Sequence, residues 1–189
     1  LFTALMFATF MSQMKGNIYF NLSFPDVPDI TKFYASNNKI WTVNTTIETN
    51  ITCKVDLVNK TTTSNTDFQR RYYWNGTTVS NNLEGTFMKM ELFSNNKSTF
   101  DGMMVGPKGG LYTTKERLLH VDEGYQCGVF LVSLMHGGPW YEMRALNTTV
   151  EKFPEQCLNL TKQVKVPSSQ KWRSLYNTTC QSIIKNNQH

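Results

Sequence analysis

The sequence predicts an all-β fold, in which eight consecutive strands close into an up-and-down barrel with a short helix before them and a helix packed outside after them. Eight short runs with strand character follow one another, and tight-turn signals such as Asn75-Gly76 separate them. The stretch from Trp140 to Cys157 then resembles a last strand that leads directly into a helix carrying a cysteine. An immunoglobulin-like sandwich is the alternative, but the cysteine spacing and the late helix disfavour it.

The last predicted strand has a definite sidedness. Asn147-Thr-Thr is an acceptor sequence for N-glycosylation, and a glycosylated Asn147 must face water. Successive side chains of a strand point to opposite faces, so alternate residues share a face. The outward set is then Tyr141, Met143 and Ala145, and the inward set is Trp140, Glu142 and Arg144.

Two opposite charges inside a barrel have two interpretations. Glu142 and Arg144 either contact a ligand or form an ion pair that satisfies itself and only fixes the barrel, because buried charges need partners. The sequence leaves both open.

The first two strands are predicted over 39–47 and 52–60. In the first, the acceptor Asn44 marks the outer face, which directs Trp41 inward. In the second, the acceptor Asn59 marks the outer face, which directs Lys54 and Asp56 inward unless a bulge resets the register.

Further strands are predicted over 68–74, 83–93, 98–105 and 111–119. In the strand over 83–93, Met88 and Met90 are expected to face inward and Glu84 to lie at the inner rim, with Phe87, Lys89 and Glu91 facing water.

The strand over 125–134 is apolar on both faces, so another element must cover its outside. We expect Phe130 to face inward and Cys127 outward. A helix over 154–163 is the predicted cover, and its Cys157 can reach Cys127. A further short helix over 24–34 is expected to plug or flank one end of the barrel.

The chain of 189 residues is long enough for one domain with a sizeable core. Residues 1–18 are interpreted as part of a signal peptide and 19–189 as the barrel domain, because the first stretch is apolar and too short to span a bilayer. The alternative is an amphipathic helix of the fold. No membrane anchor is expected after the signal.

The sequence has the marks of a secreted glycoprotein. Its four cysteines predict two disulfides, for which three pairings are possible, and no cysteine or histidine spacing suggests a zinc site or another metal site. Nine asparagines are predicted glycosylation acceptors, namely Asn21, Asn44, Asn50, Asn59, Asn75, Asn96, Asn147, Asn159 and Asn177.

The charge pattern and the motifs exclude several functions. The net charge of +5 is dispersed, and its longest cluster, Arg70-Arg71, is interpreted as solvated surface, so no nucleic-acid partner is expected. No nucleophile elbow, glycine-rich phosphate loop or metal motif is present, which argues against an enzyme and against a cofactor. A monomer is expected.

The layout from Lys39 to Cys180 resembles the salivary lipocalins of ticks, the group that includes the histamine-binding proteins. The resemblance lies in the spacing from Trp41 to Cys53, in Gly-Tyr-Gln-Cys127, in the Tyr141-Glu142 strand with Phe-Pro-Glu-Gln-Cys157, and in the terminal cysteine. It implies an eight-stranded lipocalin barrel and disulfides that join Cys53 to Cys180 and Cys127 to Cys157.

The resemblance also implies a protein that sequesters a small host mediator and thereby modulates host inflammation. Amine binders of this group hold the cation with inward carboxylates, to which Glu142 and Glu84 correspond. However, Gly128 stands where they carry an acid, and Arg144 where they carry a Trp. We therefore expect a lipid, such as an eicosanoid or a sterol, rather than histamine or serotonin.

The predicted ligand-binding residues are Trp41, Glu84, Met88, Met90, Phe130, Trp140, Glu142 and Arg144. Three alternatives remain. The same side chains can simply fill the core of a small barrel. Glu84 and Glu142 can hold the cation of histamine or serotonin. The surface can instead bind a host immune-cell or complement protein.

Overall fold

The computed structural model describes residues 27–90 and 99–185. The predicted signal peptide and the predicted acceptors Asn21 and Asn96 lie outside these ranges. Of the described helices, none is long and apolar enough to cross a membrane.

Eight antiparallel strands form the wall of the barrel, and each is hydrogen-bonded to the next. The first strand also pairs with the eighth, which closes the barrel and confirms the predicted fold class. The strands are β1 (Lys39–Thr45), β2 (Ile51–Thr61), β3 (Asn65–Trp74), β4 (Thr77–Met88), β5 (Gly102–Pro107), β6 (Thr114–Val121), β7 (Cys127–Leu134) and β8 (Pro139–Leu146).

Short helices flank the wall. Among the described residues, one helix precedes β1, and the others follow β8 together with a two-residue strand that pairs with β1. They are α1 (Ile30–Phe33), α2 (Asn147–Val150), α3 (Glu155–Thr161), β9 (Arg173–Ser174), a 3₁₀ turn (Thr178–Gln181) and α4 (Ser182–Lys185).

Helix α1 closes one end of the barrel. The Asp29 side chain caps it by accepting from the backbone N–H of Thr31 at 3.0 Å, and Ile30 N–H donates to the carbonyl of Phe100. Phe33 and Tyr34 insert into the barrel and are completely buried. The predicted plug is therefore confirmed for the described part of the helix.

Strand β1 carries a bulge that reverses its sidedness. Its register against β8 shifts between Thr42 and Asn44, so that Val43 is an extra residue. Before the bulge, Ile40 packs in the barrel core while Trp41 packs on the outside. The prediction that Trp41 faces inward is therefore wrong, because alternation counted back from Asn44 fails across one extra residue.

Strand β4 also directs the opposite face from the predicted one toward the interior. The Asn75-Gly76 turn fixes its register against β3, which places Leu83 opposite the inward Phe68. Phe87 consequently lies in the barrel core. Glu84 and Met88 face outward, and Met90 follows the end of the strand. The prediction that these three residues face inward is wrong.

The C-terminal segment covers the outside of the wall. Disulfides join Cys53 to Cys180 and Cys127 to Cys157, as the resemblance implies. Each pair lies at the centre of an apolar cluster, the first with Trp41 and the second beneath α3. The predicted cover over β7 is confirmed.

Candidate functional site

The interior of the barrel contains a connected network of charged side chains between β2, β3, β6 and β8. Each of these side chains points inward from its strand, and together they fill the part of the interior next to α1. The network consists of Lys54, Asp56, Arg70, Glu116, Glu142 and Arg144, joined by the hydroxyl of Tyr34.

Glu142 is the most highly connected carboxylate in the network. Lys54 Nζ donates to its Oε1 and Oε2 at 2.7 and 2.9 Å, and Arg144 donates to Oε2 through Nε and Nη2 at 2.9 and 2.6 Å. The indole N–H of Trp140 donates to Oε1 at 2.9 Å. Both carboxylate oxygens are therefore already occupied by donors of this chain.

Glu116 links the two arginines. It accepts from Arg144 Nη1 at 2.5 Å and from Arg70 Nη1 at 2.9 Å. Arg70 also forms a two-pronged contact with Asp56, in which Nε and Nη2 donate at 2.7 and 2.8 Å. The Tyr34 hydroxyl donates to Asp56 at 2.8 Å and accepts from Arg144, which ties the network to α1.

The network is electrically balanced. Three cations face three carboxylates, so its formal charge is zero. Burial alone would raise the pKa of Glu116, but the charges of Arg144, Arg70 and Lys54 outweigh burial and lower that pKa to about 2. Burial would likewise raise the pKa of Glu142, but Lys54 and Arg144 hold it far below its usual value. Both carboxylates are ionised at neutral pH.

Aromatic rings support the two arginines. The Arg144 guanidinium lies 4.4 Å from the ring centroid of Phe130, and that of Arg70 lies 5.3 Å from the ring centroid of Phe68. These contacts hold planar cations in place between strands that are far apart in the sequence. The arrangement is consistent with the interpretation of Glu142 and Arg144 as a self-satisfied pair.

Lys54 and Arg70 are the most exposed side chains of the network, whereas the third cation, Arg144, is fully buried. The side chains of Lys54 and Arg70 are 10% and 11% exposed, whereas those of Asp56 and Glu142 are each 3% exposed and that of Glu116 is fully buried. Because Phe33 and Tyr34 plug the α1 end, this exposure faces the opposite, open end of the barrel. The accessible edge of a neutral network is thus cationic.

The open end also displays apolar side chains. Among the described residues, six large apolar side chains are exposed, and five of these lie at strand ends or turns of the open end. The five are Trp74, Leu111, Tyr112, Leu134 and Met135. They come from three different connections of the barrel, and they concentrate the exposed apolar side chains of the described residues at this end.

The structure separates the predicted ligand-binding residues into two groups. Phe130, Trp140, Glu142 and Arg144 meet inside the barrel. Trp140 is 9% exposed and borders a cleft of about 400 Å³ at the open end, between the β1–β2 loop and the β7–β8 turn.

The other group of predicted residues lies outside the barrel. Trp41 is covered by the C-terminal segment, and Glu84 lies on the outer face of β4. Met88 and Met90 line a cleft of about 370 Å³ on the outer wall, next to Leu131 and Lys115.

Sequence reasoning missed three members of the network. Arg70 was assigned to a solvated Arg70-Arg71 cluster, but both side chains are buried, and Arg71 Nη1 donates to the carbonyl of Ile183 at 3.2 Å. Glu116 and Tyr34 were not singled out. The predicted inward positions of Lys54, Asp56, Glu142 and Arg144 indicated that charges meet inside the barrel, but no sequence signal selected Arg70, Glu116 or Tyr34 as their partners.

The described residues contain no group of three or more His, Cys, Asp or Glu side chains that could hold a metal ion. The ion network is therefore the candidate site that the described residues offer, and a metal site is not among them.

Comparisons with known proteins place the barrel among solved structures. No protein-family model matches the chain, and no curated protein matches it. The chain is similar to a protein described as AM182 in complex with serotonin, with a TM-score of 0.59 and 18% identity over 84% of this chain and 95% of that one.

It is also similar to the siderocalin Ex-FABP, described as functioning through dual ligand specificities, with a TM-score of 0.52 and 8% identity over 77% of this chain and 95% of that one. Identities this low establish the fold alone. The barrel has the lipocalin fold.

Proposed function

We propose that this protein is a secreted lipocalin that binds an amphipathic carboxylic acid, such as a fatty acid or an eicosanoid, in the mouth of its barrel. The carboxylate contacts Lys54 and Arg70, and the hydrocarbon part lies against Trp140 and the apolar residues of the open end. The single observation that supports this most is that the two most exposed side chains of a neutral network, Lys54 and Arg70, are both cations.

The charges of Lys54 and Arg70 favour an anionic ligand. A neutral network attracts no ion from a distance, but an anion that reaches Lys54 and Arg70 gains hydrogen bonds to charged donors, which contribute roughly 1.5–3 kcal/mol each. The carboxylates lie behind these cations, at 3% exposure or less, and do not repel the ligand directly. Apolar surface around the mouth then selects a ligand with a hydrocarbon body.

The second candidate ligand is a biogenic amine, because a structurally similar protein was solved with serotonin. In this chain an amine would have to compete with Lys54 and Arg144 for Glu142. The loss of those buried pairs opposes amine binding by several kcal/mol. We therefore rank the amine below the acid.

The wider role that we propose is sequestration of a host mediator by a salivary protein, as in the tick lipocalins that the sequence resembles. A host immune protein is the remaining candidate partner, and the exposed apolar side chains at the open end would be its docking surface.

Calorimetric titration of the secreted protein with palmitic acid, its methyl ester, serotonin and histamine tests the proposal. We expect the acid to bind at least tenfold more tightly than the ester, which corresponds to about 1.4 kcal/mol, and more tightly than either amine. Equal binding of acid and ester would contradict a role for the cations. Binding of none of the four would favour a protein partner.

A matched pair of variants locates the site. Lys54→Met should weaken palmitate binding about tenfold or more, whereas Lys108→Met, which removes an exposed lysine paired with Asp67, should leave it unchanged. Lys54→Arg should restore binding. Equal effects of the two Met variants would place the acid elsewhere.

A further inference from the structure

The β3–β4 hairpin has the backbone of a tight two-residue turn. Asn75 and Gly76 have φ values of 50° and 80°, which is the left-handed pair of a type I′ turn. Trp74 and Thr77 flank the turn and pair directly across it. Directly paired residues carry their side chains on one face, about 4.5–5.5 Å apart at Cβ.

Three of these four residues form a glycosylation acceptor sequence. Asn75 is the acceptor, Thr77 is its obligatory hydroxyl residue, and Trp74 precedes them. Asn75 is exposed, and nothing lies within 4 Å of a Cβ built on Gly76, so a glycan has free space at the tip.

Trp74 has no covering partner among the described residues. It is 45% exposed, although an indole is among the side chains that gain most from leaving water. The first sugar of an N-linked glycan presents a face of C–H groups with partial positive charge, and an aromatic face carries the complementary negative charge. A sugar on Asn75 is attached one residue from that indole. The tight turn fixes the direction in which the Asn75 side chain leaves the backbone.

We propose that the glycan on Asn75 is a structural part of the hairpin, in which the first N-acetylglucosamine packs on the Trp74 indole and the Thr77 methyl group. This inference requires export through a glycosylating secretory pathway, and it assigns Trp74 to the glycan rather than to the ligand or a host protein. Among the described acceptors, Asn75 combines the left-handed φ of a tight turn with a neighbouring exposed aromatic side chain.

Glycopeptide mass spectrometry of protein secreted from a eukaryotic host is the first measurement. We expect Asn75 to be occupied. An unoccupied Asn75 would overturn the proposal at once.

A double-mutant cycle then tests the contact, with thermal midpoints of the wild type, Trp74→Ser, Asn75→Gln and the double variant. Trp74→Ser should lower the midpoint of the glycosylated protein by about 2–4 °C more than it lowers that of the Asn75→Gln protein, the shift for a coupling of about 1 kcal/mol in a chain of this size. The cycle subtracts the effect that Trp74→Ser has on the strand itself. Additive effects would contradict the contact.

Asn159 provides the matched control, since it is an exposed predicted acceptor in α3, which packs on β7 rather than on the β3–β4 hairpin, with no aromatic residue within two positions. Asn159→Gln should combine additively with Trp74→Ser. An endoglycosidase that leaves one N-acetylglucosamine should preserve the Trp74 coupling. Loss of the coupling on this trimming would show that the first sugar is not the contact.

Discussion

In the wall built by β1, β2 and β8, charged side chains face the interior and apolar side chains face outward. This is the reverse of a sheet that packs an apolar face on the core and exposes a polar face to water. The inner face carries charge, with Lys54, Glu142 and Arg144 fully paired. The outer face is apolar, with Trp41 and Cys53 packed beneath the C-terminal segment. Sidedness in this barrel therefore follows from which partner covers each face, and not from hydrophobicity alone.

The two faces are also stabilised by different means. The inner face depends on every charge keeping its partners, because an unpaired charge in a closed interior has a large desolvation penalty. The outer face depends on the cover staying in place, which the two disulfides enforce.

Removal of one charge from the inner face should have the largest effect. Glu142→Gln leaves Lys54 without its carboxylate and should lower the free energy of unfolding by about 3–5 kcal/mol in denaturant titrations. The exposed pair on the outer face gives the control, since Asp67→Asn, which breaks the contact with Lys108, should cost less than about 1 kcal/mol. Similar losses of unfolding free energy in the two variants would contradict the expected difference between the buried network and the exposed pair.

Removal of the disulfides tests the outer face. Cys53→Ser with Cys180→Ser opens a loop of 127 residues and should cost about 2–5 kcal/mol. Cys127→Ser with Cys157→Ser opens a loop of 30 residues and should cost about 1 kcal/mol less, by loop entropy. Unfolding in denaturant without reductant measures both, and the reverse order would show that loop length does not govern the outer cover.

Acid should weaken the inner face selectively. The pKa of Glu116 is about 2 in the folded protein, below the value of about 4.3 for a free glutamate, so its stabilising contribution is present above about pH 5 and is lost as the pH falls toward 2. We expect the thermal midpoint to fall from pH 5 to pH 2.5. The fall should be shallower in Glu116→Gln, and parallel curves would contradict the assignment.

The smallest effect is expected at the outer indole. Trp41 donates to the side-chain oxygen of Asn147 at 2.8 Å, and its ring packs 5.0 Å from that of Tyr176. Trp41→Phe keeps an aromatic ring but loses the donor, so we expect a loss of about 1–2 kcal/mol in the free energy of unfolding and no change in palmitate affinity. A change in palmitate affinity would indicate that Trp41 contributes to the ligand site after all.

Local signals in the sequence were sufficient for much of the fold. The Asn75-Gly76 turn, the eight strands and the cover over β7 follow from short-range patterns. The sidedness of β8 was also predicted correctly, although Asn147 begins α2 and its side-chain oxygen accepts from Trp41. Its role as a glycosylation acceptor stays a prediction.

The failures have two physical causes. In β1 a single extra residue, Val43, reverses the face on which each earlier side chain of the strand lies. The alternation of polar and apolar residues in the sequence does not reveal such a bulge. In β4 the register is set by pairing with β3, which the spacing of Met88 and Met90 does not report.

The ion network was beyond sequence reasoning for a related reason. Its contacts join residues far apart in the chain, such as Arg70 and Glu116, 46 positions apart, and Lys54 and Glu142, 88 positions apart. Sequence patterns indicate that a charge faces inward, but only the closed barrel determines which charge meets it.

A crystal structure with a long-chain fatty acid that carries bromine at its tail would locate both ends of the proposed ligand. We predict that the carboxylate lies within hydrogen-bonding distance of Lys54 or Arg70, that the bromine lies at the open end, and that Glu142 keeps its contacts with Lys54 and Arg144. Bromine in the outer cleft beside Met88 and Met90, with the mouth of the barrel empty, would contradict the account.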